Sequence, residues 1–561
     1  MLGMHVLEWS EKKMINEYIS DLKQEFKGYN AQKLKQDLLS GLTVTAVALP
    51  LALAFGVGCG ATAAAGLITA IISGLIIASL SGASFQVSGP TGAMTAILIL
   101  LFQRYGLNGV WLAGAMSGII LVIAGLLKFG KIVSYIPSPV VTGFTSGIAL
   151  IIAIGQIDNF FGIKSGEAES TAIKFLNYFK TGINPNWYAV LLGCIVIATM
   201  LLCPKKWNAI VPSSLVGLII ALVANLLFKF PVAVIGEIPK TLLPDSRLNL
   251  LSINLSEFKG MIMPALSIAA LGMIESLLCG EVGSKMKGEK LNANRELVAQ
   301  GIGNIIIPFF GGVPATAAIA RSSVAIKSGS QTRLVSIFHA VGLLVSMFVL
   351  GSVMSQIPLA ALAGVLMVTA WRMNEWENIK YIFSKRFTSA IFKYIITMFA
   401  TIVFDLTQAI IIGVVFASFM FLVKISNMGI SIHEVDEKRF SEKSGLSITK
   451  PLKDVRVVYF TGPIFFATVK QLNTQLADIE KTSVLILSMR GVPLIDTSGV
   501  QALDELYHHL KQKNCQLMLC GLQPKVREML TKSNLAENIG EEMVFWSADQ
   551  AIIAAQDMIV A

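Results

Sequence analysis

Apolar and polar positions divide this chain into two regimes. From about residue 38 to 424 the sequence is a succession of uncharged apolar runs, many long enough to cross the roughly 30 Å hydrocarbon core of a bilayer. They fall near 38–58, 62–81, 89–103, 108–127, 138–156, 187–203, 212–229, 262–280, 294–309, 314–327, 333–354, 357–371, 388–405 and 407–424, about fourteen spans, several of them short. Basic residues gather in alternate loops, at Lys128 and Lys131, Lys205 and Lys206, Lys285, Lys287 and Lys290, Lys327 and Arg333, and Arg372, Lys380, Lys385 and Arg386. The excess of lysine and arginine in cytoplasmic loops assigns those loops to the inside and predicts that both termini are cytoplasmic. Residues 158–186, with Glu167, Glu169, Lys174 and Lys180, then face outward as a loop or surface helix, as do 230–259. The second outer stretch separates two membrane halves of about seven spans each, about 38–230 and 260–427.

Beyond Lys424 the period changes. Apolar runs shrink to strand length at 455–460, 483–489 and 516–520, and alternate with helical patterns at 467–479, 500–513 and 525–533. This predicts a small cytosolic α/β domain over 451–561, joined to the membrane part (38–427) by a polar linker over 428–450. Residues 1–37, with Glu11, Lys12, Lys13, Lys23, Lys27, Lys33 and Lys35, read as a cytosolic lead-in without the pattern of a cleaved signal peptide.

Composition narrows the class. Hydrophobic residues make up 54% and charged residues 14% of 561 positions, and the mean hydropathy is +0.68, which excludes an ordinary soluble chain. The net charge of +10 follows from the basic cytoplasmic loops and needs no nucleic-acid partner. Six cysteines are scattered without zinc or disulfide spacing, and Cys59, Cys194, Cys203 and Cys279 lie in apolar runs as inert packing.

Two stretches interrupt the apolar pattern at corresponding places in the halves. In 308–333, PFFGGVPATAAIARSSVAIKSGSQTR, Gly311, Gly312 and Pro314 cannot continue a helix cheaply. Pro314 fits the first turn of a new one. In 86–95, QVSGPTGAMT, an extended run of small residues precedes Pro90 and an apolar helix. Paired interruptions of this kind mark a transporter's substrate site, where free N–H groups and the positive end of a helix dipole attract an anion. The bland alternative is a pair of proline kinks.

Glu275, in AALGMIESLLC, is an ionisable group at membrane depth and a candidate proton- or cation-coupling residue; a structural salt bridge or a hydrogen-bonded helix packer is the alternative. Arg321 either adds its charge to the anion site, pairs with Glu275, or snorkels to the cytoplasmic surface. Ser88, Thr91 and Thr316 are candidate hydroxyl donors, Gly92 and Ala315 allow close approach to backbone N–H groups, and Phe55 forms an apolar wall or merely packs. Asn304, His339, Lys393, Asp405 and Gln156 are further polar groups in spans, His339 reading as a satisfied structural histidine, and Glu281 as interfacial. In the C-terminal domain, 494–500, LIDTSGV, sits between a strand and a helix; Asp496 or Thr497 caps that helix, and Ser498 is a candidate phosphorylation or partner site.

The blocks SGPTGAMT, AALGMIESLLC, NANRELVAQGIGNIIIPFFGGVPATAAIARSS and LIDTSG resemble the SulP family of anion transporters, the sulfate-permease group, over nearly the whole chain from about Leu38. Around Glu275 and Arg321 they are most similar to the family's bacterial proton-linked C4-dicarboxylate transporters. The resemblance implies a membrane all-α fold of two inverted seven-segment repeats, with half-helices at segments 3 and 10. Segments 1–4 and 8–11 would form a core, segments 5–7 and 12–14 a gate, and a cytosolic α/β STAS domain and a homodimer would complete the protein. It implies an anion site at Pro90, Thr91, Gly92, Ala315, Thr316 and Ala317 with Phe55 beside it, the family's eighth-segment acid at Glu275 and its tenth-segment arginine at Arg321. Leu51 departs from the glutamine that some animal members carry after the first-segment proline. Retention of Arg321 argues against sodium coupling.

The reading is secondary active transport of sulfate or a C4-dicarboxylate, with bicarbonate third, across the inner membrane by proton symport or anion exchange, without a cofactor. A nucleobase permease of the same fold, or a membrane sensor signalling to a cytosolic partner through the C-terminal domain, are the alternatives. No nucleophile–base pair, P-loop or metal-ligand cluster in the sequence suggests an enzyme.

Overall fold

A computed structural model describes residues 16–131, 136–165, 171–182, 184–204, 211–249, 255–404, 406–435, 440, 452–476 and 482–558. Glu11, Lys12, Lys13, Glu167, Glu169, Lys205, Lys206, Asp405 and most of the expected linker lie outside the described residues.

The membrane unit is helical. A short helix α1 (16–25) precedes α2 (Ala31–Gly58), whose N-terminus Asn30 caps by accepting from Lys33 N. Then come α3 (Ala63–Leu80), a two-residue strand β1 (Ser88–Gly89), α4 (Gly92–Leu126), α5 (Ser138–Gly155), α6 (Trp187–Leu202) and α7 (Ser213–Phe228). The second half repeats the order with α8 (Ile262–Lys287), α9 (Ala293–Ile306), β2 (Thr316–Ala317), α10 (Ile319–Lys327), α11 (Leu334–Met354), α12 (Leu359–Met373), α13 (Thr388–Val403) and α14 (Leu406–Ile425). The two spans expected over 89–127 are the two parts of α4, separated where Gly106 turns to φ 64°. Six of the described helices are long and apolar enough to cross a membrane.

Helices from the two halves interleave. α4 packs on α8 and α9, and α11 on α2 and α3, which makes one body. α5 packs on α13 and α12, and α6 on α12 and α7, which makes a second. Missing side chains set the tightest crossings: a Cβ on Gly118 would stand 2.5 Å from the carbonyl of Gly301, and one on Gly301 2.6 Å from that of Gly118. Glycine there lets α4 and α9 approach backbone to backbone, the packing that operates where no hydrophobic drive separates helix from lipid. Bulky groups face outward instead, such as Leu226, Leu227 and Phe228 on α7.

Two boundaries differ from the sequence reading. α2 starts at Ala31, where Asn30 caps it, rather than near 38, and Asp37 inside it is buried and takes bonds from Tyr29 Oη, Gln331 N and Thr332 Oγ1. α8 runs past 280 to Lys287, where Gly288 in the left-handed region ends it.

The C-terminal unit is a five-stranded sheet in the order β3 (Gly429–Glu434), β4 (Val455–Thr461), β5 (Val484–Gly491), β6 (Gln516–Cys520), β7 (Val544–Phe545). β4 to β7 run parallel and β3 is antiparallel to β4. Helices α15 (Phe466–Leu476), α16 (Thr497–Gln512) and α17 (Pro524–Lys532) cover one face and α18 (Ala548–Met558) the other. β3 corrects the expected linker over 428–450: backbone pairing with β4 makes it part of the sheet although most of its side chains are exposed. All six cysteines are free, and burial pushes the Cys515 and Cys520 thiols up to about 11, so both stay protonated and unreactive near neutral pH.

Candidate functional site

Each half of the membrane unit contains one break, and the breaks meet. β1 pairs with β2 antiparallel, Ser88 opposite Ala317 and Gly89 opposite Thr316. Unwound backbone at membrane depth survives only if its polar groups find partners in the protein, and side chains of neighbouring helices supply them. Asn304 on α9 treats Ala315 as a peptide partner, its Oδ1 accepting from Ala315 N at 2.7 Å and its Nδ2 donating to Ala315 O at 2.9 Å. Thr69 Oγ1 accepts from Val313 N at 2.7 Å, and Ser276 Oγ from Ala317 N at 3.2 Å. Ala318 N donates to Val87 O at 3.0 Å, and Val87 N to Ser322 Oγ at 3.0 Å.

Helices resume beyond the breaks. Thr91 caps α4 and accepts from Met94 N at 3.3 Å. α10 begins at Ile319 with Ala318 at its cap position and no side-chain cap, and Ile319 and Ala320 in its first turn are exposed. This corrects the expectation that Pro314 opens the helix: residues 313–318 are held extended by the bonds just described, so the uncapped helix end lies five residues later. Arg321 is therefore in the first turn of α10.

At the crossing, Glu275 Oε2 on α8 accepts from Thr91 Oγ1 at 2.8 Å and from Thr316 Oγ1 at 2.7 Å, and the two hydroxyl oxygens are 3.1 Å apart. Thr91 and Thr316 are buried, whereas Glu275 is half-buried. Arg321, 1% exposed, donates from Nη2 to Pro90 O at 2.9 Å. Its guanidinium lies over Gly89, where any Cβ would collide with Nη1. Among the described residues Nη1 has no partner and no salt bridge joins Arg321 to Glu275, which with its burial sets aside both the snorkelling and the direct-pair readings of Arg321. A Cβ on Gly92 would stand 2.9 Å from Ile152 Cδ1 of α5 and from Met373 Sδ of α12, and 3.3 Å from Phe55 Cε1 of α2. The start of α4 thus sits on the seam between the two helical bodies.

Of the residues singled out in the sequence, the structure brings together Phe55, Pro90, Thr91, Gly92, Glu275, Thr316 and Arg321. It turns three others away. Ser88 Oγ accepts from Gln300 Nε2 at 2.7 Å, facing α9 rather than Glu275. The N–H groups of Ala315 and Ala317 are taken by Asn304 and Ser276, so neither has a free donor for an anion. His339, expected to be satisfied, is fully buried with neither ring nitrogen partnered among the described residues. Gln156 accepts from Asn159 at 3.1 Å, Lys393 is half-buried, and Glu281 is exposed near the C-terminal end of α8. In the other unit Asp496 caps α16 through Gly499 N at 2.8 Å and also accepts from Phe466 N at 3.1 Å; Ser498 follows, half-buried in the first turn.

Sequence reasoning passed over Glu296 and Gln300, both fully buried on α9. Their signal was available: with Asn304 they form an i, i+4, i+8 polar row, one face by helical geometry, on a helix whose other polar residues, Asn294 and Arg295, lie in its first turn.

The sulfate permease family profile aligns with residues 34–397 and the STAS domain profile with 448–551. YvdB of Bacillus subtilis, a relative whose name pairs it with sulfate transport, is 35% identical over 540 residues, 94% of this chain and 98% of its own. The bicarbonate transporter BicA of Picosynechococcus sp. is 28% identical over 545 residues, 93% of this chain and 94% of its own. Among solved structures, the transmembrane domain of a cyanobacterial BicA superposes with a TM-score of 0.61 at 29% identity over 69% of this chain and 98% of that one. Murine Slc26a9 in its inward-facing state gives a TM-score of 0.81 at 19% identity, covering 93% and 91% of the two chains, a likeness of fold.

Proposed function

The chain belongs to the sulfate permease family, and from that premise we propose that it carries a small oxyanion across the inner membrane together with a proton, by alternating access. Sulfate or a C4-dicarboxylate is the cargo, with bicarbonate third. Sulfate draws support from the relative named for it; the dicarboxylate rests on sequence resemblance around Glu275 and Arg321. The family resemblance as a whole supports a homodimer, and Ser498 in the first turn of α16 supports a cytosolic partner at the C-terminal domain.

One observation carries the coupling: the hydroxyls of Thr91 and Thr316, one from each half of the chain, both donate to Oε2 of Glu275. A hydroxyl has a single proton to give. While Glu275 is ionised it holds both donors and sets a negative charge where the anion must come. Protonation removes the charge and releases the hydroxyls, which can then turn to an oxyanion. Arg321 and the uncapped first turn of α10 supply fixed positive potential on the other side. Anion and proton then favour one another's binding, and the pair crosses as the body built on α4 and α9 moves against the one built on α5 and α12.

Uptake of labelled sulfate, succinate and bicarbonate into proteoliposomes tests the reading. An acid exterior is expected to accelerate uptake of one of them, with sodium making no difference. Uptake that follows a sodium gradient and ignores pH contradicts it.

A further inference from the structure

Besides α8, helix α9 grips both broken segments. Glu296, Gln300 and Asn304 are 0%, 0% and 1% exposed and share one face of it. Each reaches a different part of the crossing. Glu296 Oε2 accepts from Ser81 Oγ at 2.5 Å and from Gly82 N at 2.9 Å, at the point where α3 ends and the chain heads for β1. Gln300 Nε2 uses both of its protons, one on Glu296 Oε1 at 2.8 Å and one on Ser88 Oγ of β1 at 2.7 Å. Asn304 Nδ2 donates to Gln300 O at 3.0 Å as well as to Ala315 O, and so holds the approach to β2.

We propose that this row is the gauge that sets the two half-helix starts against one another, so that Glu296 and Gln300 are positioning residues for anion binding although neither touches the site. The chemistry favours this role over simple helix packing. A carboxylate and an amide are expensive to bury between membrane helices, and α4 and α9 already close on each other through Gly118 and Gly301 without them. Outside α9, the row's bonds go to the chain leading from α3 into β1 and to the broken segments themselves. Ser88 lies two residues before Pro90, whose carbonyl receives Arg321, and three before Thr91, which donates to Glu275. Release of Ser88 therefore moves the anion's ligands without removing any of them. Among the described residues Gln300 Oε1 is buried without a partner, so the amide orientation is fixed by its two acceptors, Glu296 and Ser88.

This inference rests on the proposed anion site, and its test separates the two. The full chain is reconstituted in proteoliposomes, and the initial rate is measured for whichever of labelled sulfate, succinate and bicarbonate is taken up fastest. Gln300→Met keeps the bulk and removes both bonds; Ser88→Ala removes one from the far end and is the milder change should Gln300→Met fold poorly. Each is expected to raise the apparent KM roughly tenfold, the effect of about one lost hydrogen bond, with Vmax within about twofold. The double variant is expected to be no worse than Gln300→Met alone, because both cut one chain. Thr316→Val is the reference at the site itself. If Thr316→Val raises KM while Ser88→Ala leaves it unchanged, or if the Ser88 and Gln300 effects simply add, the positioning role is overturned and the site stands. If Thr316→Val also leaves KM unchanged, the site reading fails and this inference with it.

Discussion

Thr91 and Thr316 come from opposite halves of the chain, yet their hydroxyl oxygens are 3.1 Å apart and both donate to one carboxylate oxygen of Glu275. The antiparallel pairing of Ser88–Gly89 with Thr316–Ala317 makes this meeting unavoidable once the two halves have opposite topology. A single acid on α8 thereby reads the position of both half-helices at once.

Thr316→Val keeps the shape of the side chain and removes its donor. A hydrogen bond to a charged group is worth about 1.5–3 kcal/mol, so transport at low anion concentration should fall by one to two orders of magnitude, with Thr91→Val acting in the same direction. Initial uptake rates across an anion titration check this; equal KM values for variant and parent would contradict it.

Gly92→Val is expected to stop transport while leaving the protein folded. The added atoms enter the seam where Ile152, Met373 and Phe55 already crowd the start of α4. The ends of Ile152 and Met373 can shift to make room in one state, but the two bodies then meet resistance as they slide. Size-exclusion chromatography and melting in detergent should be close to the parent, with uptake reduced at least about tenfold.

Helix α1 is bolted to the first helical body. Arg333 donates to Glu25 from Nε at 3.0 Å and Nη2 at 2.7 Å, and from Nη1 to Ser79 O at 3.0 Å. Arg295 pairs with Asp21 at 2.6 Å, and the Tyr18 ring lies beside both guanidinium groups. Removing one partner of a buried pair costs about 3–5 kcal/mol. Glu25→Ala should therefore lower the melting temperature measurably in detergent, and an unchanged melt would show that the pair contributes nothing.

Asp496→Ala removes the cap of α16 and the acceptor for Phe466 N together. Loss of a helix cap costs about 0.5–2 kcal/mol. Denaturant unfolding of the full chain, followed by hydrogen exchange at 497–501, should show faster exchange there and no change at the membrane crossing.

Much of this was legible in the sequence because the bilayer imposes strict requirements: spans need about 20 apolar residues, and Gly-Gly-Val-Pro cannot be a continuous helix. Glu275, Thr91, Thr316 and Arg321 stood out for the same reason, as polar groups near breaks. The point at which α10 resumes was not legible, since residues 313–318 stay extended only through partners on other helices, Thr69, Asn304 and Ser276. Local propensity places Pro314 at a helix start; those long-range bonds override it. The direction of Ser88 depended likewise on Gln300, 212 residues away. β3 was missed because its side chains are mostly exposed and only its backbone ties it to β4.

Proton coupling through Glu275 is tested most directly by Glu275→Gln in proteoliposomes with and without an inwardly directed proton gradient. Glutamine mimics the protonated acid, so the variant should still bind and exchange the anion but gain nothing from the gradient. Uptake by Glu275→Gln that rises with the gradient as it does in the parent would contradict the account.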